Sequence, residues 1–265
     1  MHRMPFDRRS DAGTGSAVLL CGHGTRDARG AAQFEAMVAA MQSRHPARHI
    51  VHGFLELAHP GLDETVGRLY AEGVRHILAV PVLLFAAGHL TRDLPDIFVA
   101  LEQRHDGLRI RLCGPIGLTP DLLETACRLA ERAAGSVPAA AADTCLLVIG
   151  RGTSASAVNA EAARLAHMLA ERLGWGFATT GYVAVTRPGV AEAMRLVDHL
   201  PFGRVVVLPL VLFSGRLYQG IARDLAERRA QSPRHWVLAD PFCTDDAWLG
   251  TLDARIGRAG PGEVP

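Results

Sequence analysis

At 265 residues, 49% of them hydrophobic and 21% charged, the chain is long enough to bury the core of one large or two small domains. Its formal net charge of +1 is spread over interspersed residues, which excludes the basic field that holds nucleic acid by counterion release. All 28 basic side chains are arginine, so no Schiff-base lysine, pyridoxal-phosphate anchor or Walker-loop lysine is available.

Residues 1–16 contain Arg and Asp but lack the apolar centre of a signal peptide, and read as a disordered tail. Cys21, Cys113, Cys127, Cys145 and Cys243 are scattered, odd in number and form no CxxC pair; they read as small buried residues in a reducing compartment. The longest apolar runs, such as 77–87, fall short of the roughly 18 residues a spanning helix needs. A cytoplasmic location with no membrane association is therefore expected.

From residue 17 onward, short β-rich apolar runs alternate with longer helical patterns, the signature of a parallel sheet covered by helices on both faces. Strands are expected at 17–21, 49–55, 76–84 and 108–112. A helix is expected at 29–43, where Ala32, Phe34, Met37, Val38 and Met41 recur at helical spacing. The run from Ile77 to Phe85 is continuously apolar, as in strands buried on both faces. Residues 134–143 form an Ala, Gly, Ser and Pro-rich linker, after which the pattern restarts.

The restart is an internal repeat. Gly22-His23-Gly24-Thr25 corresponds to Gly150-Arg151-Gly152-Thr153, an offset of 128 (23 to 151). The same offset aligns the block from Gly53 to Gly61 with that from Gly181 to Gly189, and Val80-Pro81-Val82-Leu83-Leu84-Phe85 with Leu208-Pro209-Leu210-Val211-Leu212-Phe213. A duplicated α/β unit follows, with domains at 17–133 and 144–257 and a short tail at 258–265.

Open parallel sheets bind ligands outside the carboxyl ends of their strands, where each matching block falls. The informative residues are those that differ between the copies. His23 becomes Arg151, Glu56 becomes Ala184, and His89 becomes Arg216 with a gap of one residue. Glycines on both sides of His23 leave its imidazole exposed on a tight turn, and His89 follows Ala86-Ala87-Gly88. Two imidazoles and a carboxylate at three strand ends suit a metal with open coordination positions. Against this, a lone histidine after a strand often caps or is solvated, and Glu56 could simply cap the helix starting near Pro60. The other histidines, including His45, His49, His52, His59, His76, His105, His167, His199 and His235, lack such turns and read as solvated or structural.

The blocks Cys21-Gly22-His23-Gly24-Thr25-Arg26-Asp27, Phe54-Leu55-Glu56-Leu57-Ala58-His59-Pro60 and the run from Val80 to His89 resemble the type II chelatases, specifically the long, duplicated form of the sirohydrochlorin cobaltochelatase family. The likeness runs from about Ala17 to Asp253. It implies two α/β domains related by a pseudo-two-fold axis, with the tetrapyrrole in the cleft between them. It implies that His23 and His89 bind the metal, while Glu56 takes pyrrole protons or shares in metal binding. No organic cofactor is expected: the divalent ion, Co2+ with Fe2+ or Ni2+ as alternatives, is a substrate, and sirohydrochlorin is the partner. Arg26, Arg92, Arg151 and Arg216 are candidates to hold its carboxylates, with plain surface ion pairs as the alternative.

Three other readings stand beside cobalt insertion in cobalamin biosynthesis. The same fold could insert iron for sirohaem, or nickel. A non-catalytic metal or tetrapyrrole carrier would have no need of Glu56. A nucleotide-binding or hydrolytic protein is disfavoured because GxGxxG and GxSxG do not occur. Since both halves of the cleft lie in one chain, a monomer is expected, with a homodimer as the alternative.

Overall fold

The computed structural model describes residues 15–85, 90–135 and 139–258. The first repeat runs β1 (Ser16–Gly22), α1 (Ala28–Arg44), β2 (Ile50–Phe54), α2 (Leu62–Ala71), β3 (His76–Pro81), α3 (Leu90–Arg104), β4 (Arg109–Leu112) and α4 (Pro120–Ala134). The second runs β5 (Thr144–Gly150), α5 (Ser156–Leu173), β6 (Phe177–Tyr182), α6 (Val190–Asp198), β7 (Arg204–Pro209), α7 (Arg216–Gln231), β8 (His235–Leu238) and α8 (Leu249–Arg258). Each repeat builds a four-stranded, wholly parallel sheet, ordered β2-β1-β3-β4 and β6-β5-β7-β8. The expected two-domain α/β architecture is the one observed.

The register repeats as faithfully as the sequence. Val18 pairs with Ile50 as Leu146 pairs with Ala178, and Cys21 pairs with Pro81 as Ile149 pairs with Pro209, all at an offset of 128. Both strands β3 and β7 stop at their proline, which has no N–H for the ladder. The expected strand 76–84 is therefore three residues too long. Side-chain and backbone signals open the helices as usual: Asp27 accepts from Gly30 N at 3.0 Å to cap α1, and Thr119 with Pro120 opens α4.

By contacts the described residues divide into two units, one of residues 15–83, 90–116 and 249–258, the other of 84–85, 117–135 and 139–248. In the first, Leu62, Val66 and Leu69 of α2 and Leu94, Phe98 and Leu101 of α3 cover Leu19, Cys21, Ile77 and Ala79 on one sheet face. Val18 and Leu20 point the other way, toward the side of α1, which buries Phe34, Met37 and Met41, and of α8 with Leu252 and Ile256. In the second, α6 and α7 cover Cys145, Leu147, Ile149, Val205 and Val207, while α5 and α4 supply the opposite face. The packing thus departs from the linear halves: α4, the last helix of repeat one, belongs to the second unit, and α8 to the first. The linker at 134–143 marks where the repeat restarts, although Ala134 still closes α4 and residues 141–143 form a 3-10 turn.

Three of the cysteines, Cys21, Cys127 and Cys145, are buried as expected, whereas Cys113 and Cys243 are half-buried just beyond the sheets; all five are free thiols. Burial pushes Cys145 up to about 12, so it is an inert thiol. No described helix is long and apolar enough to cross a membrane.

Candidate functional site

With β1 and β3 adjacent and their connections leaving in opposite directions, the carboxyl edge beside them is the topological switch point of the first sheet. His23 follows β1 there. Gly22 before it lies against the rings of Phe34 and Phe54, which leave no room for a side chain. Gly24 after it adopts φ +93°, and a Cβ at that position would meet the Glu56 carbonyl oxygen at 1.7 Å. These two glycines let the β1 and β2 loops touch through their backbones. Leu55 N donates to Gly22 O at 2.9 Å and Glu56 N to His23 O at 3.1 Å.

The same approach sets the side chains together, with His23 Nδ1 3.3 Å from Glu56 Oε1. The contact lacks hydrogen-bond geometry, and Nδ1 is buried with no hydrogen-bond partner among the described residues. The ring as a whole is 35% exposed, so its open edge is the one that carries Nε2. Glu56 is 56% exposed and is not a helix cap: α2 starts after Gly61 with no side-chain cap at all.

Beyond Glu56 the chain reverses through a three-residue turn in which Ala58 N donates to Glu56 O at 2.8 Å around Leu57 at φ 63°. The second repeat copies this turn around Val185, and both copies end on a cis X-Pro bond, at Pro60 and Pro188. Nothing in the apolar character of Leu57 or Val185 announces a left-handed backbone, and sequence reasoning did not single them out.

Of the other expected site residues, Arg26, Arg151 and Arg216 are exposed; Arg151 follows β5 and Arg216 opens α7 after the adjoining β7. Arg92 lies in the first turn of α3, its side chain outside the description, and His89 falls outside the described residues. No cluster of three or more His, Cys, Asp or Glu able to hold a metal occurs among the described residues. His59 is 94% exposed, His45 pairs with Asp253 at 2.8 Å, and His52 packs among Phe34 and Phe54.

The second repeat holds its loops by a device the first lacks. Asn159 Nδ2 donates to Thr153 O at 2.8 Å and to Thr186 Oγ1 at 2.9 Å, while its Oδ1 accepts from Thr153 N at 3.2 Å. The residue at the same place in repeat one is Ala31, and Thr186 answers to Ala58. That exchange was a readable signal, and attention to the ionisable exchanges alone passed over it.

A twice-built parallel α/β unit, carrying an imidazole and a carboxylate at its strand ends in one copy only, defines a duplicated, doubly wound protein with polar chemistry in its first half. The chain belongs to the CbiX family, whose model matches residues 17–133 and again 145–259. It is similar to two proteins of Priestia megaterium. One, a sirohydrochlorin ferrochelatase, is 27% identical over 91% of this chain and 89% of its own length. The other, a sirohydrochlorin cobaltochelatase, is 25% identical over 94% of this chain and 81% of its own. The fold matches that of SirB from Bacillus subtilis with Fe3+ at a TM-score of 0.79 and 22% identity, over 91% of this chain and 95% of that one.

Proposed function

We propose that the protein is a sirohydrochlorin chelatase that inserts Co2+ into the tetrapyrrole. The observation that carries the reading is the His23–Glu56 contact at the carboxyl edge of the first sheet, in the repeat that kept both groups. Insertion exchanges one divalent ion for two pyrrole protons, so the site must strip water from the ion and take up protons. A neutral imidazole replaces water on cobalt, iron or nickel. His23 meets the first need through its exposed Nε2 edge; the Glu56 carboxylate 3.3 Å from Nδ1 adds negative charge beside the ring, which favours a bound cation.

Glu56, more than half exposed, is placed to accept a pyrrole proton as it leaves, and passes it to solvent. His89, which follows β3 in the sequence, is the second imidazole of this reading. Sirohydrochlorin is polyanionic, and Arg26, Arg92, Arg151 and Arg216 are the proposed partners of its carboxylates. Arg26 and Arg151 lie on the loops that follow β1 and β5, and Arg216 opens α7, where the backbone adds positive potential; these locations support the reading.

Iron is the second reading for the metal, because a relative named for iron matches this chain about as well as one named for cobalt. Affinity among these ions is largely intrinsic to them, so the protein selects by rate and by supply. Anaerobic absorbance of sirohydrochlorin with Co2+, Fe2+ and Ni2+ tests the proposal. Catalysed insertion above the spontaneous rate, fastest with Co2+, is expected; acceleration by none of the three would leave a carrier instead of an enzyme.

A further inference from the structure

Leu57 and Val185 hold the same place in the two repeats, and both sit in the left-handed region, at φ 63° and 64°. Each is the middle of a turn closed from the residue after it to the residue before it, at 2.8 Å around Leu57 and 2.6 Å around Val185. Glycine or asparagine would make such a turn with little strain, whereas a β-branched valine is a strong outlier there. Both side chains are also wet: Leu57 is 47% exposed and Val185 75%, with Val183 beside it at 45%. An apolar side chain that is strained and solvated adds nothing to its own fold. Its presence at both turns points to something outside the chain that covers it.

What lies next to the second turn narrows the occupant. Ala184 N donates to Arg151 O at 2.9 Å, so the loop that carries the valine tip is bonded to the loop that carries Arg151, which is exposed and has no ion pair among the described residues. The Asn159 amide holds the turn through Thr186 Oγ1, so the tip is fixed before anything binds. A rigid apolar tip on a loop bonded to that of an exposed arginine fits a ligand with apolar faces and an anionic rim, and a conjugated macrocycle that carries carboxylates has that form. At the first turn the neighbour is Glu56, the proposed proton acceptor.

We infer that Val185 is a substrate-contact residue that packs on an apolar face of the tetrapyrrole and sets its seating. The inference rests on the sirohydrochlorin reading above. Sirohydrochlorin binding by fluorescence, without metal, is compared for the wild type, Val185→Asn and Val185→Gly, beside the thermal midpoint of each. Asparagine tolerates the backbone and removes the apolar surface. Both variants are expected to bind about fivefold more weakly, the loss of one apolar contact, with KM raised to match and the Asn midpoint not lowered. Variant affinities within about twofold of a wild type that binds would overturn the inference alone, and so would losses that track a lowered midpoint in both variants. A wild type that does not bind sirohydrochlorin would overturn the functional reading and this inference with it.

Discussion

His23 Nδ1 stands 3.3 Å from Glu56 Oε1 because the backbones that carry them are already bonded, Glu56 N to His23 O at 3.1 Å. The second repeat makes the same backbone bond, Ala184 N to Arg151 O at 2.9 Å, and puts no carboxylate on it. The close approach of two loops is therefore a property of the fold, built twice. The proposed chemistry is a property of two side chains, placed once.

The glycine that permits this approach should tolerate nothing larger. A Cβ on Gly24 would lie 1.7 Å from Glu56 O and one on Gly152 1.9 Å from Ala184 O, each at a left-handed φ. Gly24→Ala and Gly152→Ala are each expected to destabilise the protein by about 2 kcal/mol or more, measured by denaturant unfolding. Only Gly24→Ala should also displace Glu56 from His23 and slow insertion at saturating substrates.

Removing the charge from Glu56 separates its proton role from structure. Glu56→Gln preserves volume, so the unfolding midpoint and sirohydrochlorin affinity should stay near wild type. The rate of metal insertion is expected to fall about a hundredfold, the usual share of a positioned acid or base. An unchanged rate would move the proton acceptor elsewhere.

Much of this was legible because the gene-length repeat supplied its own comparison. The α/β alternation located β1, β2 and β4 to within about two residues, since buried parallel strands read as continuous apolar runs. The substitution of His23 and Glu56 by Arg151 and Ala184 drew attention to two residues that the structure brings into contact. The destinations of α4 and α8 were not legible: each is a well-patterned amphipathic helix, and its sequence does not say which sheet it will cover. Nor were the turns at Leu57 and Val185, because an apolar residue carries no signal for a left-handed backbone.

The Asn159 clamp should matter to the second unit alone. Its side chain joins the 153 loop to the 186 loop through three hydrogen bonds, and an alanine would strand Thr153 N and leave Thr153 O only the 3.4 Å bond from Thr186 Oγ1. Asn159→Ala is expected to cost about 1–3 kcal/mol in denaturant unfolding. Hydrogen exchange should quicken in the loops that carry Arg151 and Val185, and Co2+ binding should not change.

Asp245 supplies a pH test of stability. It is nearly buried and accepts from Arg128 at 3.0 and 3.1 Å and from Arg132 at 3.2 Å. The Arg128 hydrogen bonds hold its carboxyl below the usual range, against the opposing effect of burial. Because the folded pKa is depressed, the stabilisation is fully present above the unfolded carboxylate value and is lost as pH falls through the folded one. Asp245→Asn should be less stable than wild type at neutral pH, and the gap should close in acid. A gap that stays constant with pH would show that the carboxylate charge contributes nothing.

The most direct measurement is the anaerobic rate of Co2+ insertion at saturating sirohydrochlorin, wild type against His23→Ala, with spontaneous insertion subtracted. The account predicts a catalysed rate in the wild type that falls to background in the variant, while the variant still folds and still binds the tetrapyrrole. A variant that inserts cobalt as fast as the wild type would contradict it, because the metal would then reach the ring without the imidazole that Glu56 faces.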